Sequence, residues 1–166
     1  NAAASLSCTF KEMTKDAGVD LLSFGGTKIG LAYGEAVVFL NKKLAKDFEY
    51  IRMQSGQLAS KMRFISAQFL ALFENELWKK NALHANKMAK LLEKEIRKNK
   101  KIKILHKVEA NGIFASLDKK YIKKLQKKFK FYVIDERINM VRWMTSFDTT
   151  KEDVMNFVEE MNKIVK

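Results

Sequence analysis

Ser23-Phe24-Gly25-Gly26-Thr27-Lys28-Ile29-Gly30 is the stretch on which the reading of this chain turns. It closes an apolar segment, Val19-Asp20-Leu21-Leu22-Ser23-Phe24, whose composition predicts a buried strand. Beyond it, Glu35-Ala36-Val37-Val38-Phe39-Leu40 is strongly β-prone and predicts a second buried strand. A lysine in a glycine turn between two such segments has two readings. It points to water as an ordinary turn residue, or the glycines let backbone approach a ligand and the lysine, desolvated, serves as a nucleophilic amine. The turn is not a phosphate loop, because Ile29 stands where that pattern needs Ser or Thr after the lysine. No strand-to-helix dinucleotide fingerprint accompanies it either.

Working outward, Thr9-Phe10-Lys11-Glu12 reads as a capping box that opens a helix over about 9–17, with Gly18 as its stop. From Lys42 to about Lys98 the pattern turns helical. Met62, Ile65, Phe69, Leu72 and Phe73 form an apolar stripe that Phe64, Leu70 and Leu77 widen. A second helix over about 79–99 carries Leu83, Met88, Leu91, Leu92 and Ile96 opposite a lysine-rich side. Further on, strands are predicted at 103–106, 113–117, 131–134 and 139–144, with an Asp118-capped helix running to about Lys128. Thr149-Thr150-Lys151-Glu152 predicts a second capping box at the start of a terminal helix. The fold class is α/β, ending in a small α+β module. The shift in composition near Lys98–Lys103 divides it into 1–98 and 99–166.

With 166 residues, 47% of them apolar and 31% charged, the chain is one globular domain or a large part of one, not a disordered or low-complexity segment. The single Cys8 excludes a disulfide framework and a cysteine-based zinc cluster, and fits a reducing cytoplasm. No apolar run reaches the roughly 18 residues of a membrane helix, so no membrane partner is expected. The net charge of +13 raises the question of nucleic acid. Yet all but five of the 32 basic residues are lysine and proline is absent, which reads as general compositional drift, and nucleic acid is not the favoured partner. The pairs Lys119-Lys120, Lys123-Lys124 and Lys127-Lys128 recur at helical spacing as a solvated face. His84 and His106 stand alone, without the acids a metal site needs. Phe64, Phe69, Phe73 and Trp78 read as core or subunit interface.

Three motifs carry a resemblance. The first is Ser23-Phe24-Gly25-Gly26-Thr27-Lys28 with Gly30-Leu31 and Gly34-Glu35-Ala36-Val37-Val38-Phe39. The second is Gly56-Gln57-Leu58-Ala59-Ser60-Lys61-Met62-Arg63-Phe64, and the third is Val141-Arg142-Trp143-Met144-Thr145-Ser146-Phe147-Asp148. In this order they resemble the L-threonine aldolases, pyridoxal-phosphate enzymes of fold type I grouped with the aromatic amino acid β-eliminating lyases. The resemblance implies that Lys28 is the lysine that carries pyridoxal 5′-phosphate through its amine, with Thr27 beside the cofactor. Arg142 matches the arginine that grips the substrate carboxylate; without the motif it reads as a strand residue paired with a surface acid. Arg63 resembles the arginine that reaches the cofactor phosphate from a neighbouring subunit, with Lys61 as its competitor and Arg52 a weaker one.

The implied reaction is cleavage of L-threonine or L-allo-threonine to glycine and an aldehyde, in a cytoplasmic dimer or tetramer with shared active sites. Another fold-type-I enzyme, a β-eliminating lyase or an aminotransferase, is the first alternative, and a basic nucleic-acid-binding domain the second. The chain opens Asn1-Ala2-Ala3-Ala4-Ser5, where the family's D-G-A-R-x-x-N-A run would end. By this resemblance the aspartate that meets the pyridine nitrogen lies upstream. The expectation is therefore the C-terminal portion of such an enzyme, inactive by itself.

Overall fold

A computed structural model describes residues 1–166, which separate into two compact units. One comprises Leu6–Asn81; the other comprises Ala82–Lys166 together with Asn1–Ser5. The boundary between these units falls inside the helix Leu77–Ile96, where packing partners change one-quarter of the way along, while the composition changes where that helix ends.

The first unit is built around aromatic side chains. Helix α1 (Ala2–Leu6) lies in the other unit as far as Ser5; within this one, after the short helix α2 (Phe10–Met13), strands β1 (Leu21–Gly25) and β2 (Glu35–Phe39) pair antiparallel, with Ser23 opposite Val37 and Gly25 opposite Glu35. Thr9 caps α2, and Glu12 returns the bond to the Thr9 N–H at 2.7 Å. The helix stops at Met13, four residues before the expected end, because the Asp16 and Val19 amides turn back to the Lys11 and Thr14 carbonyls. Helices α3 (Phe48–Gln54) and α4 (Met62–Phe73) follow. The rings of Phe10, Phe24, Phe73 and the first turn of α5 (Leu77–Ile96), at Trp78, close on one another at 4.3–6.0 Å between centroids.

The two strands were expected to be buried on both faces, and they are not. Leu21, Val37 and Val38 are exposed, while Leu22, Phe24 and Ala36 are half-buried. A two-stranded ribbon has no further strands to shield it and is only partly covered, so that even the adjacent Val37 and Val38 stay open.

The second unit has a conventional core. Strands β3 (Lys103–Ile104), β4 (Gly112–Ser116), β5 (Tyr132–Asp135) and β6 (Met140–Met144) form an antiparallel sheet in the order β3-β4-β6-β5. Ile113, Ala115, Val141 and Trp143 alternate onto one face, where they meet Leu92 and Ile96 of α5, Ile122 and Leu125 of α6 (Lys119–Gln126), and Val158 and Met161 of α7 (Lys151–Ile164). Asp118 caps α6 by accepting from the Lys120 amide at 2.8 Å. The six paired lysines around it are exposed, as their spacing implied. The capping box of α7 sits one residue later than expected, at Thr150 and Asp153, because the Thr149 hydroxyl accepts from the Ser146 amide instead.

One surface network gives this unit a defined acid response. Lys128 and Lys163 both donate to Glu160, bridging α7 to the end of α6 and pulling the Glu160 carboxyl down to about 2. The folded value lies below the ordinary one, so this contribution is complete above about pH 4.5 and is lost as pH falls towards about 2. Urea denaturation across that window should show Glu160→Gln losing less stability than the parent protein. Parallel losses in the two proteins would contradict this tie.

Candidate functional site

The turn between β1 and β2 is made by what its glycines omit. Gly26 is buried, and a Cβ built on it would lie 2.0 Å from Leu31 Cδ1 and 3.2 Å from the Phe69 ring. Its amide donates to the Gly34 carbonyl at 3.0 Å, and its own carbonyl accepts from Ile29 and Leu31, each at 3.1 Å. Those bonds wind Thr27–Ile29 into a single 3-10 turn that ends at Gly30, φ +123°. Thr27 and Lys28 therefore sit side by side at the tip of a tight loop. Both are exposed, and the Lys28 ammonium joins no ion pair. The expected desolvation of this lysine is not a property of these residues alone. What they supply is an accessible amine on a backbone that is pinned.

Two side chains that sequence reasoning passed over do the pinning. The Asn81 amide donates from Nδ2 to the Ile29 carbonyl at 2.8 Å. Gln68 Oε1 on α4 accepts from the Ala32 and Tyr33 amides at 3.0 and 3.4 Å. Their partners lie 52, 36 and 35 residues away in sequence, beyond the reach of any local pattern.

Lys61 and Arg63 stand at the N-terminus of α4, both exposed, with Lys61 in the cap position and the Arg63 guanidinium 4.9 Å from the Phe64 ring centre. Arg52, rather than either of them, lines a cavity of about 530 Å³ with Gly34, Glu35, Ser55, Gln57 and Ser66.

Arg142 belongs to the second unit, in the middle of β6. It lies opposite Phe114 of β4 and Tyr132 of β5, so an aromatic residue flanks it on either side of the outer sheet face. Its Nε is buried without a hydrogen-bond partner, as is the neighbouring Trp143 Nε1. No acid pairs with Arg142, which removes the reading of an ordinary surface ion pair. The five arginines divide accordingly. Arg97 is bonded to Glu93 and Arg137 to Asp135, each at 2.7 Å, whereas Arg52, Arg63 and Arg142 are in no ion pair. A buried guanidinium donor left unmatched carries a desolvation cost that an incoming carboxylate or phosphate would offset.

His84 Nε2 lies 2.7 Å from the Thr149 carbonyl, and the His106 ring packs edge-on to Phe114 at 5.6 Å. No group of three or more His, Cys, Asp or Glu is placed to hold a metal ion, and no helix is long and apolar enough to cross a membrane.

Comparison with known proteins bears on this arrangement. The beta-eliminating lyase family model matches residues 1–120. A low-specificity L-threonine aldolase from Pseudomonas sp. (strain NCIMB 10558) is 41% identical over 166 residues, which is 99% of this chain and 48% of the relative. Another, from Pseudomonas aeruginosa, is 39% identical with the same shares. Among solved structures, Leishmania major threonine aldolase superposes with a TM-score of 0.77 at 27% identity, over 89% of this chain and 44% of its own. The P-protein glycine decarboxylase of the glycine cleavage system, with a TM-score of 0.54 at 14% identity, shares the fold alone.

The fold is thus the mixed α/β architecture of the fold-type-I enzymes, as the sequence led us to expect. The chain belongs to the beta-eliminating lyase family. It spans about half the length of the curated relatives it matches.

The glycine turn is open to direct test. Gly26→Ala should destabilise the first unit by about 1–3 kcal/mol, the usual cost of overpacking. The double substitution Gly26→Ala/Leu31→Ala should cost clearly less than the sum of the two single ones, as read by urea denaturation. Strict additivity would show that the contact does not limit the turn.

Proposed function

We propose that these residues are the C-terminal portion of a pyridoxal-phosphate-dependent lyase of the threonine-aldolase type. On this reading residues 1–98 complete the cofactor domain and 99–166 form the small domain. The observation that carries it is the pair of uncommitted cations on rigid backbone: Lys28 on its pinned turn and Arg142 with its buried, unmatched Nε. An accessible amine suits covalent attachment of an aldehyde cofactor. A guanidinium without an acid suits a substrate carboxylate. The residues present fit pyridoxal phosphate on those grounds.

Each residue then has a physical task. Lys28 offers its amine, and the turn bonds fix where that amine can reach. Thr27 places a hydroxyl beside it. Arg63, with Lys61 and Arg52 as the other cations of that region, supplies positive charge for the cofactor phosphate. Arg142 makes two parallel hydrogen bonds to the α-carboxylate, which sets the orientation of the α-carbon as well as matching its charge. Phe114 and Tyr132 stand opposite Arg142 on the neighbouring strands. When bound, the cofactor supplies the electron sink that makes Cα–Cβ cleavage feasible. The substrates are β-hydroxy-α-amino acids such as L-threonine and L-allo-threonine, and the products glycine and an aldehyde. The setting is a cytoplasmic homo-oligomer, a dimer or tetramer with shared active sites.

Two substitutions in the complete enzyme separate the roles. Lys28→Ala should abolish covalent cofactor attachment, measured as the mass of the borohydride-reduced peptide. Arg142→Ala should retain attachment but lose about a hundredfold or more in kcat/KM for threonine, the scale for truncating one partner of a buried charge pair. Arg142→Lys should fall between, because an ammonium cannot make the fork. A reduced adduct on another lysine, or pyruvate with ammonia as the products, would overturn the assignment.

A further inference from the structure

The loop that bears Lys28 contains three glycines, at 26, 30 and 34, two of them at φ +123° and +153°. Glycines give such a segment wide backbone freedom. A lysine at its tip would sample a wide volume unless something outside the loop held it. Inside the loop, the Gly26 carbonyl fixes the ascending half, through Ile29 and Leu31, and the Gly26 amide ties the base to the Gly34 carbonyl, leaving the Ile29 carbonyl and the Ala32 and Tyr33 amides to outside partners. The rest is held by two side-chain amides of opposite polarity. Asn81 donates to the Ile29 carbonyl, one residue past the lysine. Gln68 accepts from two consecutive amides, Ala32 and Tyr33, on the return to β2. Gln68 is itself oriented, because its Nε2 donates to the Phe64 carbonyl at 3.2 Å within its own helix. Both anchors stand on helices, Gln68 on α4 and Asn81 on α5.

We infer that Gln68 and Asn81 are positioning residues for the Lys28 amine, a two-point amide clamp that converts a flexible glycine loop into a fixed mount for the cofactor lysine. This rests on the reading of Lys28 as the cofactor amine. The clamp touches neither cofactor nor substrate. It acts through the peptide units around residue 29 and residues 32–33. Displacing a reacting group by about 1 Å can cost a hundredfold in rate, so a clamp of modest thermodynamic weight has a large kinetic consequence.

The polarity of the two amides makes the inference testable with isosteric changes in the complete enzyme. Asn81→Asp keeps the shape but replaces the donor with an acceptor facing a carbonyl. Gln68→Glu keeps the acceptor, and Gln68→Leu removes it. Two readouts apply: amide hydrogen exchange across residues 27–33, and the rate at which added pyridoxal phosphate becomes covalently attached to Lys28, followed by borohydride reduction and peptide mass. Asn81→Asp and Gln68→Leu should each speed exchange of the loop by about fivefold, the worth of one net hydrogen bond, and slow attachment by about tenfold or more. Gln68→Glu, which keeps the acceptor for the Ala32 and Tyr33 amides but loses the donation to the Phe64 carbonyl, should fall between the parent and Gln68→Leu in both. A side chain that merely fills space would tolerate Asn81→Asp as readily as Gln68→Glu. Should Asn81→Asp fail to fold, Asn81→Ala, which adds no charge, serves in its place.

Attachment at the parent rate in Asn81→Asp (or Asn81→Ala) and Gln68→Leu, or Gln68→Glu as impaired as Gln68→Leu, would overturn the clamp. A parent protein that attaches no cofactor at Lys28 would instead overturn the functional reading, while the exchange measurement would still report whether the two amides hold the loop.

Discussion

The absence of one carbon atom underlies the turn that carries Lys28. Residue 26 has no Cβ, and the space that atom would fill belongs to the Leu31 side chain. Because Leu31 can fold back over Gly26, the Gly26 carbonyl receives two amides, the Thr27–Ile29 turn closes, and Lys28 is carried outward at its tip. Any larger residue at 26 must push Leu31 away and reopen the loop. The aromatic cluster of Phe24, Phe69 and Phe73 forms the floor under this contact. Packing and chemistry are thus linked at one position: the interior of the first unit determines where an exposed amine stands.

Charge is used selectively. Most of the lysines lie on solvated faces, and the surface ion pairs that some of them form, such as Lys11–Asp16, are of the exposed kind worth little. Two arginines are committed to neighbouring acids. Of the remaining three, Arg63 and Arg142 lie in motifs whose resemblance implies anions, and Arg52 stands outside them. Arg142 is the clearest of them, since a strand interior is a costly place to leave a guanidinium donor unmatched. Its flanking aromatics add to the distinction from a surface residue. The strongly basic balance of the chain, by contrast, says little about partners, because it is spread over surfaces with no accompanying pattern of recognition.

Much of this was readable in the amino-acid order. The alternation of Ile113, Ala115, Val141 and Trp143 marked the core face of the sheet, and Asp118 marked the start of α6 at the residue where the side chain caps it. Local signals failed where tertiary bonds compete with them. Thr149 and Thr150 both looked able to cap α7, and the choice was made by the Ser146 amide. The run Val37-Val38 suggested full burial, yet both are exposed because a two-stranded ribbon is only partly covered. The change of packing partner along α5 has no local signal, although Trp78 packs with Phe10 while Leu92 and Ile96 belong to the sheet core. Gln68 and Asn81 carried no signal at all. Each is an ordinary polar residue on a helix until the loop it holds, more than thirty residues away, is seen.

The central claim is that Lys28 and Arg142 were left uncommitted because one receives a cofactor and the other a carboxylate. A crystal structure of the complete enzyme, grown with pyridoxal phosphate and glycine, tests it most directly. The account requires density linking the Lys28 side chain or the glycine amine to the cofactor ring, and the Arg142 guanidinium facing the glycine carboxylate through both of its parallel N–H groups. A ring bound beside a different lysine, with Arg142 turned to an acid of its own chain, would contradict it.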